Sequence, residues 1–184
     1  MPDLILDIED KMIFPSKKVF ITNSFEETQK LGEKFARSHL ARQTCLSGCK
    51  LIALYGDLGS GKTTFVQGMA RGLGVKRRII SPTFIIIRSY KIKNQPFDFA
   101  QGKKSKIKYT NKKLKMFYHI DLYRMESNKD IGGLGLDEII KNEENIVMVE
   151  WAEKMDRLLP KKRIDIQFVY VSEHERKITI KKLT

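Results

Sequence analysis

An α/β fold, a P-loop NTPase-like sheet flanked by helices with a C-terminal antiparallel hairpin, is predicted by three stretches of this 184-residue sequence. The first is Gly56-Asp57-Leu58-Gly59-Ser60-Gly61-Lys62-Thr63. It has the form G-x-x-x-x-G-K-[ST] and lies between the apolar run Leu51-Ile52-Ala53-Leu54-Tyr55 and a helical run from Thr64 onward. The second, Ile146-Val147-Met148-Val149-Glu150, is an apolar strand ending in a carboxylate. The third is the alternating pattern of residues 164–171 and 177–183, which reads as a hairpin.

The chain length suits one α/β domain and is too short for two ordinary ones. Residues 1–18 lack clean periodicity and end in Pro15-Ser16-Lys17-Lys18, so they read as an irregular leader to a single domain at 19–184. The leader carries Asp3, Asp7, Glu9 and Asp10 and has no basic stretch followed by an apolar one. No run approaches the roughly eighteen apolar residues of a membrane span. The expectation is a cytoplasmic protein without a membrane partner.

Within the domain, Val19-Phe20-Ile21-Thr22 predicts a short strand. Ser24 stands three residues before Glu27, the spacing of a capping box, and Phe25, Thr28, Leu31, Phe35 and Ala36 continue at helical spacing to about Leu40. That helix is expected to lay its Leu31 and Phe35 face on the sheet. Residues 44–50 form a turn, and the helix after the glycine loop ends at Gly72 or Gly74. Ser81-Pro82-Thr83-Phe84 opens a strand-like run through Tyr90, rich in β-branched and aromatic residues. Residues 116–124 resume a strand, with His119, Asp121 and Tyr123 on one face and Tyr118, Ile120 and Leu122 on the other. A short helix over 136–140 follows Gly132, Gly133 and Gly135, and a second over 151–159 is stopped by Pro160.

The formal charge of +13 invites a nucleic-acid reading. Its distribution weakens that reading, because residues 91–115 hold nine lysines against one acid, Asp98, and account for +8. This composition cannot bury enough apolar surface to hold itself folded, so 91–115 reads as a flexible basic insertion. Cys45 and Cys49 have no matching second pair, which argues against a zinc site and for two ordinary thiols.

The glycine loop carries the clearest chemistry. Glycines at 56, 59 and 61 let backbone N–H groups approach phosphate oxygens. Lys62 supplies a positive charge to the β- and γ-phosphates, Thr63 offers its hydroxyl to Mg²⁺, and the following helix points its N-terminus at the anion. Gly56, Leu58, Gly59, Ser60, Gly61, Lys62, Thr63 and Thr64 make up the candidate nucleoside triphosphate site. Lys62 is expected on the solvent side of the loop, outside the core. Glu150 has the form of the carboxylate that closes a Walker B strand, where it would face Thr63 across the metal; a helix-capping carboxylate before Trp151-Ala152-Glu153 is the alternative. Asp121 could orient a water or support the metal shell, and a surface salt bridge with Arg124 fits the spacing equally.

Taken in order, Leu54 to Thr64, then Ser81-Pro82-Thr83-Phe84, then His119-Ile120-Asp121-Leu122-Tyr123-Arg124, then Val149-Glu150-Trp151 resemble the bacterial TsaE (YjeE) family over about residues 19–171. That family is a small ATPase acting with the TsaB and TsaD proteins in threonylcarbamoyl modification of adenosine 37 of tRNA. The resemblance implies phosphate binding by Gly59, Gly61, Lys62, Thr63 and Thr64, Mg²⁺ at Thr63 and Glu150, and hydrolysis served by Lys62, Asp121 and Glu150. It further implies a nucleotide-sensing role for Thr83, a place for Trp151 near the nucleotide, and Ser24 and Thr28 bordering the adenine. tRNA would be met indirectly through the complex, and no DNA is expected. Ser60 replaces a commoner alanine, and the lysine-rich insertion lengthens a connection that is normally short.

Two other readings compete. A P-loop small-molecule kinase needs a lid with arginines, and the only long connection contains none between Tyr90 and Met116. A nucleic-acid-binding module led by residues 91–115 would bind with steep salt dependence.

Overall fold

The computed structural model describes residues 17–41, 50–92, 114–126 and 128–183. The chain runs β1 (Lys17–Thr22), α1 (Phe25–Ala41), β2 (Leu51–Tyr55), α2 (Lys62–Gly72), β3 (Ile87–Lys91), β4 (Met116–Asp121), α3 (Asn128–Gly132), α4 (Leu136–Lys141) and β5 (Asn145–Glu150). A 3-10 helix (Ala152–Leu158), β6 (Arg163–Tyr170) and β7 (Arg176–Leu183) complete it. The strands form one mixed sheet in the order β1-β7-β6-β2-β5-β4-β3. β2 pairs in parallel with both β5 and β6, and β5 with β4, so the centre is parallel and both edges are antiparallel.

Both faces of the sheet are covered, which is why the central strands read as continuous apolar runs. Ile52 and Leu54 of β2 and Met148 of β5 face α1 and α2, packing with Phe35, Phe65, Met69 and Phe168. Leu51, Ala53, Val147 and Val149 face the other way, against Ile131, Leu136 and Met155. The Ser24 half of the capping box forms, the Glu27 N–H donating to Ser24 Oγ at 3.1 Å, while the Glu27 carboxylate reaches one residue further back and accepts from the Asn23 N–H at 2.7 Å. α1 then lies unusually close to α2. A Cβ on Gly68 would stand 2.0 Å from the Gln29 carbonyl oxygen, and one on Gly32 would stand 2.3 Å from that of Phe65. This crossing fixes Ser24 and Thr28 beside the start of α2.

Several boundaries differ from the sequence expectation. The first strand begins at Lys17 and pairs antiparallel with β7, so the C-terminal hairpin is joined by a third strand. Only Ile87–Lys91 of the run after Ser81 is a strand. Pro82 offers no N–H to a ladder, and its carbonyl accepts from the N–H groups of Ile85 and Ile86, which turns the chain and leaves Ile86 at a φ of 63°. α3 was not foreseen, because its region reads as polar and glycine-rich. Trp151 has a φ of 59°, so the segment after β5 turns sharply and continues as a 3-10 helix from Ala152. Cys45, Cys49, residues 1–16 and residues 93–113 of the basic segment lie outside the described residues. Where that segment is described, the Ile92 N–H donates to the Lys115 carbonyl at 2.8 Å, and Leu114 is buried.

Candidate nucleotide site

The site forms at the carboxyl ends of the parallel strands, where the order of an open α/β sheet places its crevice. β2 leads into the glycine loop, and Gly56 is required there twice over. Its φ is 132°, and a Cβ would stand 2.3 Å from the carbonyl oxygen of Phe168 on neighbouring β6. Gly61, at φ 99°, caps α2 without a side-chain hydrogen bond, so the first N–H groups of the helix have no side-chain cap at the N-cap position.

Beside the loop, β4 and β5 deliver their acids side by side, since Asp121 pairs in register with Glu150. The face predicted for His119 and Asp121 is the face that carries Glu150. Thr63 Oγ donates to the Glu150 carboxylate, 2.9 Å from each oxygen. His119 Nε2 donates to Glu150 Oε1 at 2.7 Å from a fully buried ring. His119 Nδ1 has no hydrogen-bond partner among the described residues. Glu150 is thus held by the loop threonine and by a histidine that fixes its orientation. Asp121 is equally committed. Its Oδ2 accepts from the hydroxyls of Ser81, at 2.7 Å, and Thr83, and its Oδ1 accepts from the Tyr123 N–H at 3.0 Å. The salt bridge to Arg124 is not made; that guanidinium lies 4.1 Å from the centre of the Phe84 ring.

Lys62 departs from expectation. Only 4 % of it is exposed. Its Nζ donates to the carbonyls of Gly56 at 2.6 Å and Asp57 at 2.8 Å, and lies 4.2 Å from the centre of the Trp151 ring. Burial pushes its pKa below the usual lysine value, opposed by the charges of Glu150, Glu153, Asp121 and Asp57. The correction has a simple cause: the turn at Trp151 folds the indole back over the loop, where its face and two carbonyls replace water around the ammonium. Tyr123 packs on the same indole at 5.1 Å, and Lys154 ties the Tyr123 loop down by donating to the carbonyls of Tyr123 and Met125.

These groups line a cleft of about 360 Å³ from Leu58 to Thr64, bounded by Ser81, Thr83, Asp121, Glu150 and Trp151. A second recess of about 310 Å³ lies across Gly59, Gly61 and Thr64 and holds Ser24, Thr28 and Arg176. A family described as threonylcarbamoyl adenosine biosynthesis protein TsaE matches residues 22–178. The chain belongs to the TsaE family. It is 37% identical over 129 residues to the TsaE protein of Bacillus subtilis, covering 70% of this chain and 67% of that one. It is 31% identical over 163 residues to the TsaE protein of Rickettsia felis, covering 88% of this chain and 78% of that one. The crystal structure of YdiB from Bacillus subtilis superposes with a TM-score of 0.62 at 28% identity, covering 91% of this chain and 86% of that one.

Against the TsaE resemblance, the structure gathers the loop residues, Thr83, Asp121, Glu150 and Trp151 around one cleft, and puts Ser24 and Thr28 on the adjoining recess. The Thr28 hydroxyl donates to the Ser24 carbonyl and is bonded to Thr22 Oγ1 at 2.8 Å, so its proton is already committed within the protein, and its methyl lies toward Gly61. Ser60 is buried, and its hydroxyl has no hydrogen-bond partner among the described residues. Sequence reasoning missed two residues. His119 was visible as a neighbour of Asp121, but no spacing rule ties it to Glu150. Arg176 anchors the β6–β7 turn beside the loop, donating to the Ser172 and Glu175 carbonyls at 2.7 and 3.0 Å while its guanidinium stacks on Tyr170. Nothing in the local sequence distinguishes it from other strand-end cations.

Among the described residues, no group of three or more histidine, cysteine or carboxylate side chains gathers as a metal cage. The donors present are the Thr63 hydroxyl and the Glu150 carboxylate, hard oxygens that suit Mg²⁺ held by one or two protein ligands together with phosphates and water. No helix among the described residues is long and apolar enough to cross a membrane.

Proposed function

We propose that this chain is a cytoplasmic, Mg²⁺-dependent ATPase that acts with the TsaB and TsaD proteins in threonylcarbamoyl modification of adenosine 37 of tRNA. The pathway reading rests on membership of the TsaE family, whose matched relatives are named for tRNA threonylcarbamoyladenosine biosynthesis. The ATPase reading rests above all on one observation: the Thr63 hydroxyl and the Glu150 carboxylate meet beside Lys62 at the start of α2.

The residues divide the work. The loop from Gly56 to Thr64 cradles the phosphates with backbone N–H groups, and the α2 N-terminus adds its dipole. Lys62 exchanges its two carbonyl acceptors for phosphate oxygens, which compensate its buried charge better than carbonyls do. Bound Mg²⁺, held by Thr63 and Glu150, supplies neutralisation of the β- and γ-phosphates. Asp121 orients the attacking water once Ser81 and Thr83 release it, so hydrolysis is coupled to movement of the Ser81–Thr83 loop. The recess with Ser24, Thr28 and Arg176 takes the base and sugar.

Following the γ-phosphate of labelled ATP tests this reading. Release as free phosphate, stimulated by TsaB and TsaD, is expected. Stoichiometric transfer to an acceptor would make the chain a kinase.

A further inference from the structure

A third recess, of about 500 Å³, lies at the far end of α2 from the glycine loop, and it carries a different chemistry. Arg71, Lys76, Arg77 and Arg78 line it, with no carboxylate among the lining residues. Some described surface cations elsewhere meet acids, as in Arg163 with Asp165, Lys141 with Asp137 and Lys115 with Glu144. Lys76, Arg77 and Arg78 have no ion-pair partner among the described residues. The chain's net charge outside residues 91–115 is only +5, and these four cations stand together at one place without an acid among the residues that line it. The α2 C-terminus accounts for Arg71 alone, because the other three lie beyond its last turn.

The floor of the recess is built. Gln67 Nε2 donates to the Ile79 carbonyl at 3.2 Å, Gln29 Nε2 donates to Gln67 Oε1 at 2.9 Å, and Arg71 donates to Gln29 Oε1 at 3.0 Å. This relay joins α1, α2 and the arginine segment and presents Arg71 in a fixed orientation. Phe25, exposed at the rim, offers an aromatic face. Arginine forks match phosphate oxygens, and an exposed ring beside them takes an unstacked base.

We propose that this recess binds the phosphodiester backbone of RNA directly, with Arg77 and Arg78 as its principal phosphate contacts. The recess shares no lining residue with the cleft around Lys62 and only Phe25 with the recess across Gly59 and Gly61, and the inference does not depend on the ATPase reading. Arg78 lies three residues before Ser81, whose hydroxyl holds Asp121, so RNA in the recess would bear on the segment that leads into the nucleotide site.

The test is binding of a fluorescein-labelled, unmodified tRNA transcript to the full chain, by anisotropy, between about 0.05 and 0.2 M salt. The variant is Arg77→Gln/Arg78→Gln, compared with Lys181→Gln/Lys182→Gln, which removes the same charge from β7. Both pairs are surface changes, and melting temperature and ATP affinity are measured on each to confirm an intact fold and nucleotide site. The proposal expects the arginine pair to lower RNA affinity by about tenfold and to reduce the salt slope by one to two, roughly one per lost phosphate contact, with a much smaller effect from the lysine pair. Equal losses from both pairs would show diffuse attraction and overturn it. Unchanged RNA affinity would also overturn it, including the case where binding to TsaB and TsaD weakens instead, which would assign the recess to an acidic protein surface.

Discussion

The hydroxyl of Thr63 stands 2.9 Å from both carboxylate oxygens of Glu150, and His119 Nε2 donates to one of those oxygens at 2.7 Å. A residue at the start of α2 and one at the end of β5 are thereby joined. Glu150→Gln keeps the shape, removes the charge and places an amide where two donors already point. The expected result is a Mg²⁺ requirement raised about tenfold or more in an ATP hydrolysis titration, in a variant whose fold is checked by its melting temperature, which should fall because a buried acceptor charge is lost.

Asp121 should behave differently from Glu150. Its carboxylate accepts three hydrogen bonds and touches neither Thr63 nor Lys62 directly, so Asp121→Asn is expected to lower turnover by about a hundredfold while ATP affinity changes only a few fold. Equal and small effects from both acid variants, measured by steady-state kinetics and nucleotide titration, would reduce the pair to structural carboxylates.

The close crossing of α1 and α2 predicts a stability effect far from any catalytic group. Gly68→Ala drives a Cβ to 2.0 Å from the Gln29 carbonyl oxygen, a backbone atom that cannot step aside alone. A loss of about 1–3 kcal/mol in urea unfolding is expected. ATP affinity should weaken as well, because α1 carries Ser24 and Thr28 to the recess beside the loop.

The long connection between β3 and β4 spans strands that are already neighbours. Lys91 pairs with Met116, and the next hydrogen bond joins Ile92 to Lys115. Replacing residues 93–113 by a short Gly/Ser turn should leave the melting temperature within a few degrees, since loop-closure cost grows slowly with length. A large drop would show that the segment packs on the domain.

What the sequence made legible follows the strength of local rules. The loop from Gly56 to Thr63, the capping of the Glu27 N–H by Ser24, and the period-2 face of His119 and Asp121 each depend on neighbours within a few residues, and each is found as read. Strand order was not legible, since the pairing of Lys17–Thr22 with Arg176–Leu183 joins the two ends of the described chain. The run after Ser81 misled because β-propensity favours strand there, while Pro82 and the hydroxyls bound to Asp121 impose a turn. Lys62 misled for a related reason. Its burial depends on Trp151, 89 positions away, held at a positive φ that no pattern announces.

The most direct test of the central claim is tRNA threonylcarbamoylation reconstituted from TsaB, TsaD and this chain, scored with ATP and Mg²⁺ for the wild type and for Lys62→Met. The methionine keeps an apolar stem beneath Trp151 and removes a charge whose burial is unfavourable, so the variant should remain folded. Repeated rounds of modification are predicted with the wild type, and a loss of nearly all of them with Lys62→Met. Equal yields from the wild type, the folded variant and a reaction without this chain would contradict the account.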